Sequence, residues 1–154
     1  PKDATPLEEV RKLVAAGRSK QALAFADEQL AKNPRNAQMR FVRGVLLTDM
    51  DEKDAARAVF QQLTEDFPEL PEPYNNLAVL YAADGQLDRA RGALEMALLA
   101  RPDYATAHEN MGDVYLQMAA AAYQRAATLQ PSNRAASSKL ALTREMITKA
   151  RSPR

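Results

Sequence analysis

His108 is the only histidine of the chain, and it is the first residue to test for catalytic chemistry. A hydrolytic triad needs a nucleophile, a base and an orienting carboxylate, and a zinc site needs several histidine or cysteine ligands. The chain has no cysteine and no second histidine, and it has no glycine motif that cradles phosphate. We therefore expect no enzyme activity, no metal and no cofactor, with His108 as a packing or groove-edge residue.

The acidic stretch at residues 49–54 resembles part of a calcium-binding loop, with Asp49, Asp51 and Asp54 as its carboxylates. It lacks the glycine and the spaced glutamate that such loops use. These residues fall instead in a predicted turn between two helices. There the side chain of Asp51 is expected to cap the helix that follows.

Basic side chains are concentrated after residue 133, although the net charge of the whole chain is only +1. They are Arg134, Lys139, Arg144, Lys149, Arg151 and Arg154. No aromatic residues lie between them and no nucleic-acid-binding motif is present, so we expect a solvated helix face and no nucleic-acid partner. The chain also has no apolar run long enough to predict a membrane span.

The elements that must position these side chains are predicted to be helices, because the good helix formers Ala, Leu, Glu, Gln, Lys and Arg dominate the composition. A spacing of 34 residues organises the chain. Prolines, alanines and turn residues recur at that spacing: Pro34, Pro68 and Pro102; Ala22, Ala56 and Ala90; and Gly17, Asp51 and Gly85. Each period holds two amphipathic stretches, and a proline ends the second. Such units bury their apolar faces only by stacking on their neighbours.

The clearest copy, residues 71–104, resembles a tetratricopeptide repeat. The residues that carry the resemblance are Tyr74, Leu77, Ala78, Tyr81, Gly85, Ala90, Leu94, Ala97 and Pro102. It implies an all-α, right-handed α-solenoid that forms a single domain over residues 1–154. The predicted units are repeats at about 3–36, 37–70 and 71–104, a shortened repeat at 105–133 and a C-terminal helix at 134–150. The second copy departs from the family with Arg40 and Arg43.

The fourth copy lacks its turn. Nine positions separate Tyr81 from Ala90 in the third copy, but only four separate Tyr115 from Ala119. One interpretation is a fused helix over 105–129, which the uninterrupted apolar stripe favours; the other is that five residues are absent from this sequence. A fused helix needs a new partner for its second half, either the C-terminal helix as a cap or a second copy of the chain in a homodimer. The predicted cap or dimer surface comprises Met118, Ala122, Tyr123, Ala126, Leu129, Leu140 and Ile147.

The family resemblance implies a concave groove, lined by the first helix of each repeat, that binds a peptide or helix of another protein. The corresponding residues here are Phe41, Val42, Val45, Asp49, Asn75, Asn76, Val79, Glu109, Asn110 and Asp113. Family members that bind chaperones clamp a terminal carboxylate with Lys and Arg in these slots. None of these ten residues is basic. We therefore expect a partner segment with an apolar anchor and a basic or neutral polar part.

The predicted function is a non-catalytic scaffold for protein–protein interaction, and the alternative is a self-assembly module that forms a homodimer through the fused helix and the C-terminal helix. The Ala- and Arg-rich composition resembles that of proteins from high-GC bacteria, and many bacterial relatives of this layout are exported. We therefore expect a bacterial protein of the periplasm or cell envelope rather than of the cytoplasm.

Overall fold

The computed structural model describes residues 3–151, with side chains through residue 150. Eight α-helices and no strand occur in this part of the chain, which confirms the all-α prediction. The helices are α1 Pro6–Ala15, α2 Ser19–Lys32, α3 Ala37–Asp49, α4 Lys53–Asp66, α5 Pro71–Ala83, α6 Leu87–Ala100, α7 Ala105–Leu129 and α8 Arg134–Arg151. None of the described helices is both long and apolar enough to cross a membrane.

The turns inside the first three helix pairs each use a residue in the left-handed conformation. Gly17, Asp51 and Gly85 have φ angles of 74°, 62° and 77°. Asp51 does not cap α4, so that prediction was wrong. The N-cap of α4 is Glu52, which forms no side-chain capping hydrogen bond, and the Asp51 carboxylate lies 3.5 Å from Lys53 Nζ.

Replacement of Asp51 by glycine is expected to stabilise the fold. The left-handed conformation costs an L-residue about 1–2 kcal/mol, and the greater freedom of glycine in the unfolded chain offsets only part of that gain. Asp51→Gly should raise the free energy of unfolding in urea by about 0.5–1 kcal/mol. The reverse change in the matched turn, Gly85→Asp, should lower it by a similar amount. Changes of the same sign in both variants would contradict the explanation.

Three buried apolar clusters stack the helix pairs into one solenoid. Each cluster combines a helix pair with the first helix of the next pair: α1, α2 and α3; then α3, α4 and α5; then α5, α6 and α7. The fully buried ring of Phe60 lies at the centre of the second cluster, 5.6 Å from the ring of Phe41. Gly44 makes this packing possible, because a Cβ at that position would lie 2.7 Å from the Phe60 ring.

The two arginines that depart from the family pattern in α3 form ion pairs with the helices on either side. Arg40 reaches the Asp66 carboxylate of α4 at 2.8 Å and also lies over the ring of Phe67. Arg43 reaches Asp27 of α2 at 2.6 Å. Hydrogen bonds from Arg40 and Gln62 lower the pKa of Asp66 below its ordinary value. Charged contacts thus join α3 to both of its neighbouring helices.

The long helix and the C-terminal cap are both confirmed. α7 is continuous through the position of the missing turn, and α8 runs back antiparallel along it. Ala136 and Leu140 are buried in this contact, while Tyr123 and Ile147 are half-buried. Basic residues of α8 stay near the surface: Arg144 hydrogen-bonds Gln124, Lys139 lies over the Tyr123 ring, and Lys149 pairs with Glu145. The side chain of Arg151 and all of Arg154 lie outside the described residues.

Candidate partner-binding groove

The predicted groove residues of α5 and α7 meet at one cavity. Val79, Asn110 and Asp113 line a space of about 200 Å³ between these two helices. Its floor is apolar and comprises Ala78, Ala82, Leu94 and Val114. Since cavities of about 150 Å³ admit a benzene ring, this volume accommodates one aliphatic or aromatic side chain.

Asn75 and Asn110 form a polar link across the base of this groove. The Asn110 amide nitrogen donates to the Asn75 side-chain oxygen at 2.9 Å, and Asn75 is only 4% exposed. The Asn75 amide in turn donates to Asn76 at 3.5 Å. Asn75 therefore holds α5 to α7, and a polar contact with a partner would have to come from Asn76 or Asn110.

The apolar end of the predicted groove forms a separate cavity between α3 and α5. Phe41 lines it together with Leu70 and Pro73, and its volume is about 360 Å³. Val42 and Val45 lie beside this region but pack against the buried clusters and are half-buried. Of the ten predicted residues, Val79, Asn110 and Asp113 line one cavity and Phe41 lines another, while the other six line neither.

The charges along the groove are mainly acidic. Asp49, Glu109 and Asp113 are exposed, whereas Glu72 at the rim pairs with Arg101 at 2.9 Å. Neither Lys nor Arg lines the α5–α7 or the α3–α5 cavity in the described part of the chain. A basic ligand group near Asp113 would be attracted, while a carboxylate would meet like charge.

Several residues that border the groove were not predicted as groove residues, among them Gln117, Ile147 and Ala150. Gln117 lines the α5–α7 cavity and also a smaller one, about 160 Å³, that Ile147 and Ala150 of α8 complete. Ile147 was predicted as a cap residue, and nothing in the 34-residue pattern indicated that α8 would reach Asp113. Gln117 occupies one of the family's groove slots, so its position could have been inferred from the repeat alignment.

The helix pairs agree with the comparison to known families. A tetratricopeptide repeat model matches residues 13–78 and again residues 54–111. The chain belongs to the tetratricopeptide repeat family. It is 30% identical over 118 residues to the tetratricopeptide repeat domain-containing protein PYG7, chloroplastic, of Arabidopsis thaliana, and the match covers 71% of this chain and 39% of that protein. The chain thus spans about two fifths of that relative.

Solved structures show the same solenoid fold. TTC0263, a thermophilic tetratricopeptide repeat protein of Thermus thermophilus, aligns with a TM-score of 0.65 and 24% identity over 90% of this chain and 79% of that one. The first such domain of Spaghetti (RPAP3), bound to the HSP90 peptide SRMEEVD, gives 0.67 and 15% over 73% of this chain and 89% of that one. Proteins of the tetratricopeptide repeat family are generally non-catalytic interaction modules.

Proposed function

We propose that this tetratricopeptide repeat protein is a non-catalytic scaffold that binds an extended segment of a partner protein in its groove. One large apolar side chain of the partner would enter the cavity between α5 and α7. A basic or neutral polar side chain beside it would lie near Asp113. The observation that carries the proposal is the combination of an apolar cavity and an exposed carboxylate at its edge.

The charge of the groove supports a ligand unlike the one bound by RPAP3. The HSP90 peptide SRMEEVD of that complex carries three acidic side chains. In this chain the predicted groove presents the exposed carboxylates of Asp49, Glu109 and Asp113. These carboxylates would repel the acidic side chains of a bound segment. The groove would therefore exclude acidic segments and favour basic ones.

Selection of short random peptides on the immobilised chain tests the proposal. Enriched peptides should contain a large apolar residue within a few positions of Lys or Arg. An enriched peptide should lose about tenfold in affinity, or ~1.4 kcal/mol, on Val79→Glu and again on Asp113→Lys. Titration calorimetry measures both effects.

Matched surface changes outside the groove provide the controls. Met96 on α6 is 43% exposed, close to the 46% of Val79, so Met96→Glu should leave the affinity unchanged. Asp103→Lys makes the same charge change as Asp113→Lys at an exposed position before α7. Enrichment of acidic peptides, no enrichment, or equal losses in groove and control variants would overturn the proposal.

We also propose self-association through α7 as a second function, because one observation favours it. Much of the predicted cap or dimer surface remains uncovered after α8 has packed. Ala122 and Leu129 are exposed, Met118 and Ala126 are half-buried, and Leu142 and Met146 of α8 also face outward.

A further inference from the structure

One face of α7 lacks the helix that covers the same face of α5. In the third repeat, α6 packs over Tyr74 and Ala78, and Ala78 is only 1% exposed. The residues in the same slots of α7 are His108 and Gly112, and both are exposed. Tyr115, in the slot of Tyr81, is 52% exposed. The first half of α7 therefore presents an open site for a second repeat helix.

The glycine in this face shows how closely such a helix can approach. In the second repeat, Gly44 occupies the same slot as Gly112, and the Phe60 ring of α4 fills the space above it. A Cβ on Gly112 would meet nothing within 4 Å. The α8 helix covers a neighbouring face of α7 that includes Leu116, and it reaches the edge of the open face at Tyr123, whose ring lies beneath Lys139.

The second half of α7 carries the pattern that belongs in the open site. Ala119, Tyr123 and Ala126 match Ala90, Leu94 and Ala97 of α6, which pack onto α5 in the third repeat. Because α7 is one straight element without a turn, this half cannot fold back onto its own first half. Each chain thus has an unfilled site on the first half of α7 and a matching pattern on the second half, which α8 covers only in part.

We infer that two copies of the chain fill each other's site by antiparallel pairing of their α7 helices around a two-fold axis. This inference rests on the self-association proposed above and specifies its interface. In the third repeat, Tyr74, Ala90 and Ala97 share one apolar cluster with Tyr81 packed against it, and the α5–α6 hairpin lays the start of α5 beside the end of α6. The equivalent pairs across the dimer are His108 with Ala126 and Tyr115 with Ala119, both centred on residue 117. A two-fold axis makes every such contact twice, as an isologous interface requires.

The charges of α7 favour an antiparallel partner. Its acidic residues, Glu109 and Asp113, lie in the first half, and its basic residue, Arg125, lies in the second. Antiparallel pairing lays the acidic half of one helix alongside the basic half of the other and also opposes the two helix dipoles, with the charged side chains on the flanks of the contact. Between Asp113 and Arg125 the helix carries no charged residue, as is typical of the core of an interface.

Disulfide trapping tests the register. The chain has no cysteine, so His108→Cys/Ala126→Cys introduces the only thiols. The two positions lie about 27 Å apart on one straight helix and cannot form a disulfide within a chain, since that needs Cα atoms within about 7 Å. Oxidation should give a covalent dimer of twice the 17.0 kDa chain mass.

A second pair of cysteine substitutions, placed symmetrically about the same residue, is the control. Glu109 and Arg125 are also centred on residue 117, but they lie on opposite flanks of α7, away from the proposed contact. Glu109→Cys/Arg125→Cys should therefore form little covalent dimer. Equal trapping of both pairs, or none of the first, would overturn this register.

The molar mass from light scattering tests whether the chain self-associates at all, independently of the proposed pairing of the α7 helices. The unmodified chain should show a concentration-dependent mass that approaches the dimer, and Gly112→Glu should remain a monomer. Gly92→Glu, at a helical glycine of α6 that also has open space above it, should still dimerise. Circular dichroism checks that each variant is helical. A monomer at every concentration would refute both self-association and the proposed interface. A dimer in which the His108/Ala126 cysteine pair is not trapped selectively would refute only the interface.

Discussion

Gly44→Leu is expected to lower the free energy of unfolding by about 3 kcal/mol, because overpacking of a filled core typically costs about 1–3 kcal/mol or more. The new side chain would begin 2.7 Å from the Phe60 ring. Phe60 is fully buried and packs against Phe41, so its ring cannot move aside without displacing α4 from α3. Urea unfolding followed by circular dichroism measures the loss.

Gly112→Leu is the matched change in the fourth repeat, and its effect should have the opposite sign. Leucine is the better helix former by about 0.8–1 kcal/mol, and nothing lies above Gly112 within 4 Å. The free energy of unfolding should rise by up to about 1 kcal/mol when it is measured at a dilution where the chain is monomeric. A comparable loss at both glycines would mean that a helix covers Gly112 in the monomer as α4 covers Gly44.

The repeat period allowed most of the fold to be predicted from the sequence. Spacing of the prolines and alanines located the helix pairs, and the short distance from Tyr115 to Ala119 predicted the continuous α7. Local rules were sufficient here because each repeat carries the same amphipathic pattern and the same stop signal. Even the N-cap of α3 follows from such a rule, since the Asn36 side chain accepts a hydrogen bond from the Met39 backbone nitrogen at 3.1 Å.

Contacts between elements that do not repeat could not be predicted in this way. The α8 helix has no counterpart in the other repeats, so the face of α7 that it covers depends on tertiary packing. The same holds for the groove. Family slots placed Asn75 and Asn110 in it, but the link between them depends on how closely α5 approaches α7. Which residues of the groove bind a partner stays a prediction.

Replacement of the Asn110 side chain should lower the free energy of unfolding by more than its half-buried position suggests. Asn110→Leu would leave the Asn75 oxygen without its donor at a site that is 4% exposed. An unsatisfied buried polar group costs about 1–3 kcal/mol, so we expect the free energy of unfolding to fall by about 2 kcal/mol. Glu109→Leu, at the exposed neighbouring position, should change it by less than about 0.5 kcal/mol.

The double variant Asn75→Leu/Asn110→Leu decides whether the pair acts as one unit. Replacement of both partners by apolar side chains removes the unsatisfied oxygen, so the double variant should be more stable than the sum of the single changes predicts. We expect a coupling free energy of at least about 1 kcal/mol in a double-mutant cycle. Additive losses would contradict the link between the two amides. Asn75 would then reach water by another route, and its side chain would be available to a bound segment together with Asn76.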